Sequence, residues 1–211
     1  MARRGTARHG TRHGQVPTPP TSRTQTCPNP PPAMDHTPSP TPAWQASLFN
    51  ALKAGGVRQI AYVPDAGHAQ AIRSAIADPG IHDVVLTTEE EGVALACGAW
   101  LGGQRAVLLM QSSGVGNCIN MFSLLQSADF PFLAVVTMRG EYAEFNPWQN
   151  PMGRATQGAL ELMGIRVLRA DHADAVAETV SAGLAAAFEA GERVAVLLGQ
   201  RLIGRKQWVS K

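Results

Sequence analysis

No stretch of this 211-residue sequence approaches the roughly 20 uninterrupted apolar residues of a membrane-spanning helix. Its first residues also lack the apolar middle of a secretory signal. The expectation is a soluble, cytoplasmic protein that does not bind membranes. Cysteine is scarce: Cys27, Cys97 and Cys118 are odd in number, far apart and form no C-x-x-C pair, which argues against a disulfide framework or a structural zinc site. Excess charge is scarce too. The formal net charge is +2, and residues 1–42 carry five arginines against Asp35, leaving 13 basic and 15 acidic residues in the rest. The basicity therefore belongs to the tail, and no nucleic-acid partner is expected.

Residues 1–42 hold ten of the 15 prolines and almost nothing that can build a core. They read as a disordered, dispensable Pro/Arg-rich extension. An Arg-rich, acid-poor start also suits a nucleic-acid arm or a transit peptide, but Pro28 to Pro32 does not form the amphipathic helix of a transit peptide. Met34 lies just before the first periodic segment and is an alternative start, which N-terminal sequencing would decide. Residues 43–211 are the expected folded domain, and 45% apolar residues suffice for one well-packed core.

From Trp44 onward the pattern alternates between helix and strand. Trp44, Leu48 and Leu52 recur at helical spacing and Gly55-Gly56 stops that helix. Strands are expected at 59–63, 83–87, 105–110, 131–137, 165–168 and 193–198. Helices are expected at 67–77, 90–101, 116–126, 155–163 and 173–190. Short Val/Ile/Leu-rich strands separated by helices predict an α/β fold, a doubly wound, mostly parallel sheet of about six strands covered on both faces. Ligands of such sheets bind at the carboxyl ends of the strands, where the strand order reverses, so the loops there are the places to search.

Four segments qualify. After the first strand, Val63-Pro64-Asp65-Ala66-Gly67-His68 opens a helix that the Asp65 carboxylate can cap; His68 is either a polar first-turn residue or a proton donor near neutral pH. After the second, Glu89, Glu90 and Glu91 begin a helix whose dipole favours acidic residues. That suffices for Glu90 and Glu91, whereas Glu89 directly follows the strand end, at the mouth where a ligand would sit. The helix is rich in small residues, including Gly92 and Gly98, as if another backbone or subunit approached closely. After the third, Gln111-Ser112-Ser113-Gly114-Val115-Gly116-Asn117-Cys118-Ile119-Asn120 is either a plain strand-to-helix turn or an anion-binding loop. It lacks a Walker lysine, and Ile119 stands where a dinucleotide site needs its third glycine. The fourth is the long polar connection 138–154, a lid or partner contact by its length. Arg139 and Arg154 there are either substrate-binding cations or surface residues.

Together these segments resemble the pyrimidine-binding domain of thiamine-diphosphate-dependent decarboxylases, in particular sulfopyruvate decarboxylase α subunits and phosphonopyruvate decarboxylases. The likeness runs over nearly all of residues 44–204 and rests on four pieces in order: V-P-D at 63–65, E-E-E-G-x-A at 89–94, M-Q-S-S-G-x-G-N-x-x-N at 110–120 and P-M-G-R-A-T at 151–156. The resemblance implies that Glu89 is the catalytic carboxyl group facing the pyrimidine, because Gly98 follows it by the family's nine residues. It implies that Pro64, Asp65, Ser113, Gly114, Gly116 and Asn120 line the pyrimidine end of thiamine diphosphate, and it points His68, Arg139 and Arg154 toward a small anionic 2-oxoacid. No G-D-G, the family's magnesium and diphosphate motif, occurs in these residues. A diphosphate-binding β subunit carrying the Mg2+ is therefore the expected partner, in a hetero-oligomer. A non-catalytic or regulatory subunit of the same fold, or a flavodoxin-like nucleotide binder, are the competing readings.

Overall fold

The computed structural model describes residues 43–204; the expectations for residues 1–42, Met34 included, lie outside the described residues. Six strands form one sheet: β1 (Val57–Tyr62), β2 (His82–Val85), β3 (Arg105–Gln111), β4 (Phe132–Thr137), β5 (Arg166–Ala170) and β6 (Arg193–Leu198). Their order is β2-β1-β3-β4-β6-β5, and every pairing is parallel. The expected doubly wound α/β architecture is therefore present, with all strands parallel.

Strand side chains alternate between the two faces, and the apolar runs are continuous because both faces are covered. Val107, Leu109, Leu133, Val135, Val194 and Val196 join one core cluster. Their neighbours Leu108, Met110, Ala134, Val136, Ala195 and Leu197 join the other. The first cluster is closed by α1 (Ala43–Ala54), α2 (Ala69–Ala77) and α7 (Ala175–Phe188). The second is closed by α3 (Glu89–Leu101), α4 (Ser112–Cys118), α5 (Phe122–Ser127) and α6 (Asn150–Leu162). No described helix is long and apolar enough to cross a membrane.

The strand order reverses twice. β1 sits between β2 and β3, and β6 returns between β4 and β5. Because every strand is parallel, the segments after β1, β2, β3 and β4 all leave from one end of the sheet, and the first three surround the first reversal.

Two local expectations are corrected. The helix expected at 116–126 is two helices, with α4 starting at Ser112 directly after β3. The serine-glycine segment is thus helical rather than an open turn: packing against neighbours outweighs the cost of about 1 kcal/mol per glycine. The connection expected to reach residue 154 ends earlier, with a 3-10 turn at Pro147–Gln149 and α6 starting at Asn150, where Pro151 suits a first helical turn. The small residues of α3 have two different reasons. A Cβ at Gly92 would stand 2.5 Å from Leu108, so β3 is the close neighbour there, while nothing described approaches Gly98 within 4 Å. A short helix, α8 (Gln200–Ile203), follows β6.

Candidate active site

The three consecutive glutamates serve three separate ends. Thr88 is extended before α3. Glu91 accepts a hydrogen bond from the Thr87 amide at 2.9 Å and Glu90 pairs with the Thr88 hydroxyl, which lowers the Glu90 pKa. Both are helix-start interactions. Glu89 instead turns inward and is 9% exposed.

What it meets is one face of α4. Gly114, Asn117 and Cys118 stand at i, i+3 and i+4, the spacing that places side chains together on a helix. The Asn117 amide donates to Glu89 Oε2 at 2.8 Å. Gly114 lies directly beneath the carboxyl group: a Cβ there would stand 2.6 Å from Glu89 Cγ and nearer still to the carboxylate. The buried Cys118 thiol is pushed up to about 12 by burial, and then by the charges of Glu89 and Glu90. Glu89 Oε1 accepts no hydrogen bond among the described residues.

Asp65 ties three strand ends together. It caps the 3-10 turn Ala66–His68 by accepting from the Gly67 amide at 2.9 Å. It also accepts from Gln111 at 3.1 Å, at the end of β3, and from Thr137 Oγ1 at 2.8 Å, at the end of β4. Ser113 extends this chain by donating to Gln111 at 3.0 Å. Burial raises the Asp65 pKa, but His68 and these hydrogen bonds outweigh it and the net direction is down. A cavity of about 180 Å³ opens beside Asp65, lined also by Ala66, Gly67, Thr137, Arg139 and Gln45.

His68 lies in the turn that opens the helix, as one sequence reading has it, but it is buried there. It is 1% exposed and neither ring nitrogen has a partner among the described residues. Burial lowers its pKa to about 4, against the opposing pull of Asp65, so it is neutral near pH 7 and donates no proton there as an imidazolium.

Arg139 also differs from a free cation. It is buried and forms a fork with Glu144, both bonds at 2.6 Å. Gln200 locks the same loop, accepting from the Glu141 and Tyr142 amides at 2.8 Å each and donating to Glu144 at 2.9 Å. Most of the P-M-G-R-A-T segment is structural. A Cβ on Gly153 would run into the Arg139 carbonyl, and the Thr156 hydroxyl donates to the Met152 carbonyl at 2.6 Å. Arg154 is exposed on α6 and forms no ion pair among the described residues.

The structure thus brings Glu89, Gly114 and Asn117 together, and links Asp65 to Ser113 through Gln111. Pro64, after β1, and Gly116 and Asn120, within and just after α4, are exposed. Sequence reasoning missed three contributors. Asn117 carried a signal, its i+3 spacing from Gly114, which only a helical reading of the segment would have used. Thr137 and Gln200, distant in sequence from their partners, carried none. No cluster of three metal-ligating side chains occurs among the described residues.

No family model matches the chain. It is 36% identical over 120 residues to sulfopyruvate decarboxylase subunit alpha of Methanothermobacter thermautotrophicus, covering 56% of this chain and 73% of that protein. The subunit of the same name from Methanocaldococcus jannaschii is 35% identical over 120 residues, covering 56% of this chain and 71% of that protein. Phosphonopyruvate decarboxylase of Streptomyces viridochromogenes is 38% identical over 119 residues, 56% of this chain but 30% of that longer enzyme. Among solved structures, 2-oxoglutarate:ferredoxin oxidoreductase from Magnetococcus marinus superposes with a TM-score of 0.62 at 18% identity, over 79% of this chain and 33% of that one; this likeness speaks for the fold alone. With about a third of residues shared across more than two thirds of the relatives' length, the chain belongs to the family of sulfopyruvate decarboxylase α subunits.

Proposed function

We propose that this chain is the pyrimidine-binding α subunit of a thiamine-diphosphate-dependent decarboxylase acting on sulfopyruvate, phosphonopyruvate or a related anionic 2-oxoacid. The observation that carries the reading is Glu89: a buried carboxyl group at a strand-end mouth, bonded through one oxygen, with the other unengaged among the described residues. These residues fit the pyrimidine end of the cofactor. Gly114 leaves its side-chain position to the carboxyl group, and Gly116 is exposed on the same helix with its side-chain position turned to Met152. When bound, thiamine diphosphate supplies the carbon nucleophile and electron sink that loss of carbon dioxide requires.

The chain's own residues orient and move a proton. Glu89 exchanges a proton with pyrimidine N1′. Pro64, Ser113, Gly114, Gly116 and Asn120 line the ring. Asp65, committed to Gly67, Gln111 and Thr137, fixes the three strand ends that carry this lining. Toward the substrate, Arg154 offers an uncommitted charge, Arg139 lines the cavity beside Asp65 with its charge matched by Glu144, and His68 is buried behind the Asp65 turn. The diphosphate and Mg2+ fall to a partner β subunit in this reading, which the relatives' names as α subunits support.

The test is reconstitution. The purified chain alone should release no carbon dioxide from sulfopyruvate or phosphonopyruvate, and adding the cognate diphosphate-binding subunit, thiamine diphosphate and Mg2+ should restore release. Turnover by the chain alone, or none in the assembled complex with any 2-oxoacid, would overturn the proposal.

A further inference from the structure

Asn117 stands outside the residues that the resemblance assigns, yet its amide is the hydrogen-bond partner of Glu89 among the described residues. An amide N–H donates best to an oxygen that carries no proton, so this bond holds Oε2 as the unprotonated oxygen. It also directs any proton that Glu89 takes up to Oε1, the oxygen over Gly114 that accepts no hydrogen bond among the described residues. Given the role of Glu89 above, on which this step rests, we propose that Asn117 is a positioning residue: it holds Oε2 so that Oε1 is the oxygen offered to the cofactor.

The surroundings leave that role to Asn117. The other titratable groups facing Glu89 are Glu90, whose carboxylate is engaged by the Thr88 hydroxyl, and Cys118, whose thiol is neutral near pH 7. No lysine or arginine forms an ion pair with Glu89 among the described residues. Asn117 itself is exposed, so its substitution removes the donor without opening the core.

The experiment is a carboxyl 13C NMR titration of the glutamate-labelled full chain alone, with the Glu89 resonance identified by its loss in Glu89→Gln. Asn117→Ala should move the Glu89 midpoint up by about one pH unit, the size of one lost hydrogen bond to a charged group. Asn117→Asp nearly preserves shape but replaces the donor with a second carboxylate, and should move it by about two units or more, in two coupled steps. Unchanged melting temperatures separate this from a folding defect. Midpoints that stay in place in both variants would overturn the positioning role while leaving the decarboxylase reading intact. That reading fails on a different result, decarboxylation by the assembled complex after Glu89→Gln.

Discussion

Replacing Glu144 by glutamine perturbs the buried charge pair that anchors the loop after β4. In the native chain the Arg139 and Glu144 side chains are 10% and 4% exposed, and the Arg139 fork, then the amides of Asn146 and Gly140 and the side chain of Gln200, hold the Glu144 carboxyl at about 2 against an ordinary 4.5. Because the folded value lies below the unfolded one, the group contributes stability in full above pH 4.5, and that contribution is lost as pH falls through about 2. A gap of this size is worth roughly 3 kcal/mol. Glu144→Gln keeps one acceptor oxygen but leaves the Arg139 cation buried without its counter-charge, which costs about 3–5 kcal/mol. Urea unfolding of both proteins between pH 2 and 7 should show the variant less stable by about that much at neutral pH, with a shallower acid limb. Adding Arg139→Met, which removes both charges, should recover much of the loss. Equal stability of wild type and Glu144→Gln at pH 7, with equal acid limbs, would refute the reasoning and return Arg139 to the pool of available substrate cations.

Gly114→Ala places a methyl group where the Glu89 side chain lies, so it should cost about 1–3 kcal/mol by overpacking and lower activity of the assembled enzyme, measured by unfolding and carbon dioxide release. Gly98→Ala is the control: nothing described lies within 4 Å, and the isolated chain should gain roughly 0.5–1 kcal/mol from helix propensity. Cys118 is buried and its thiol is pushed up to about 12, so a thiol reagent at neutral pH should leave it unmodified in the native chain and label it on unfolding, as peptide mass mapping would show.

The sheet was legible because each strand is a compact apolar run sandwiched between helices. Val107 to Met110 and Val194 to Leu198 are fully buried, as expected of short apolar runs in a parallel sheet covered on both faces. The expected ends slipped where pairing decides them. β2 is an edge strand whose register with β1 finishes at Tyr62 and Val85, short of the apolar Leu86. The glycines of α4 concealed a helix, since local propensity there is overruled by contacts with Glu89 and with Met152, whose Sδ lies 3.4 Å from a Cβ built on Gly116. At the site, the strand-end position and the nine-residue spacing to Gly98 separated Glu89 from its two neighbours, and in the structure the first residue of α3 faces α4 while the next two serve the helix start. The burial of His68 and the pairing of Arg139 were beyond reach, because both depend on side chains that meet across loops without periodicity.

The central claim, that Glu89 is the carboxyl group acting on pyrimidine N1′, is tested most directly by hydrogen–deuterium exchange at thiamine diphosphate C2 in the reconstituted complex of Glu89→Gln. An amide nearly matches the carboxyl group in size but cannot exchange the proton, so exchange should fall by at least about a hundredfold. Glu90→Gln and Glu91→Gln, which alter only helix-start contacts, should leave it close to wild type. Exchange undiminished in Glu89→Gln would contradict the account.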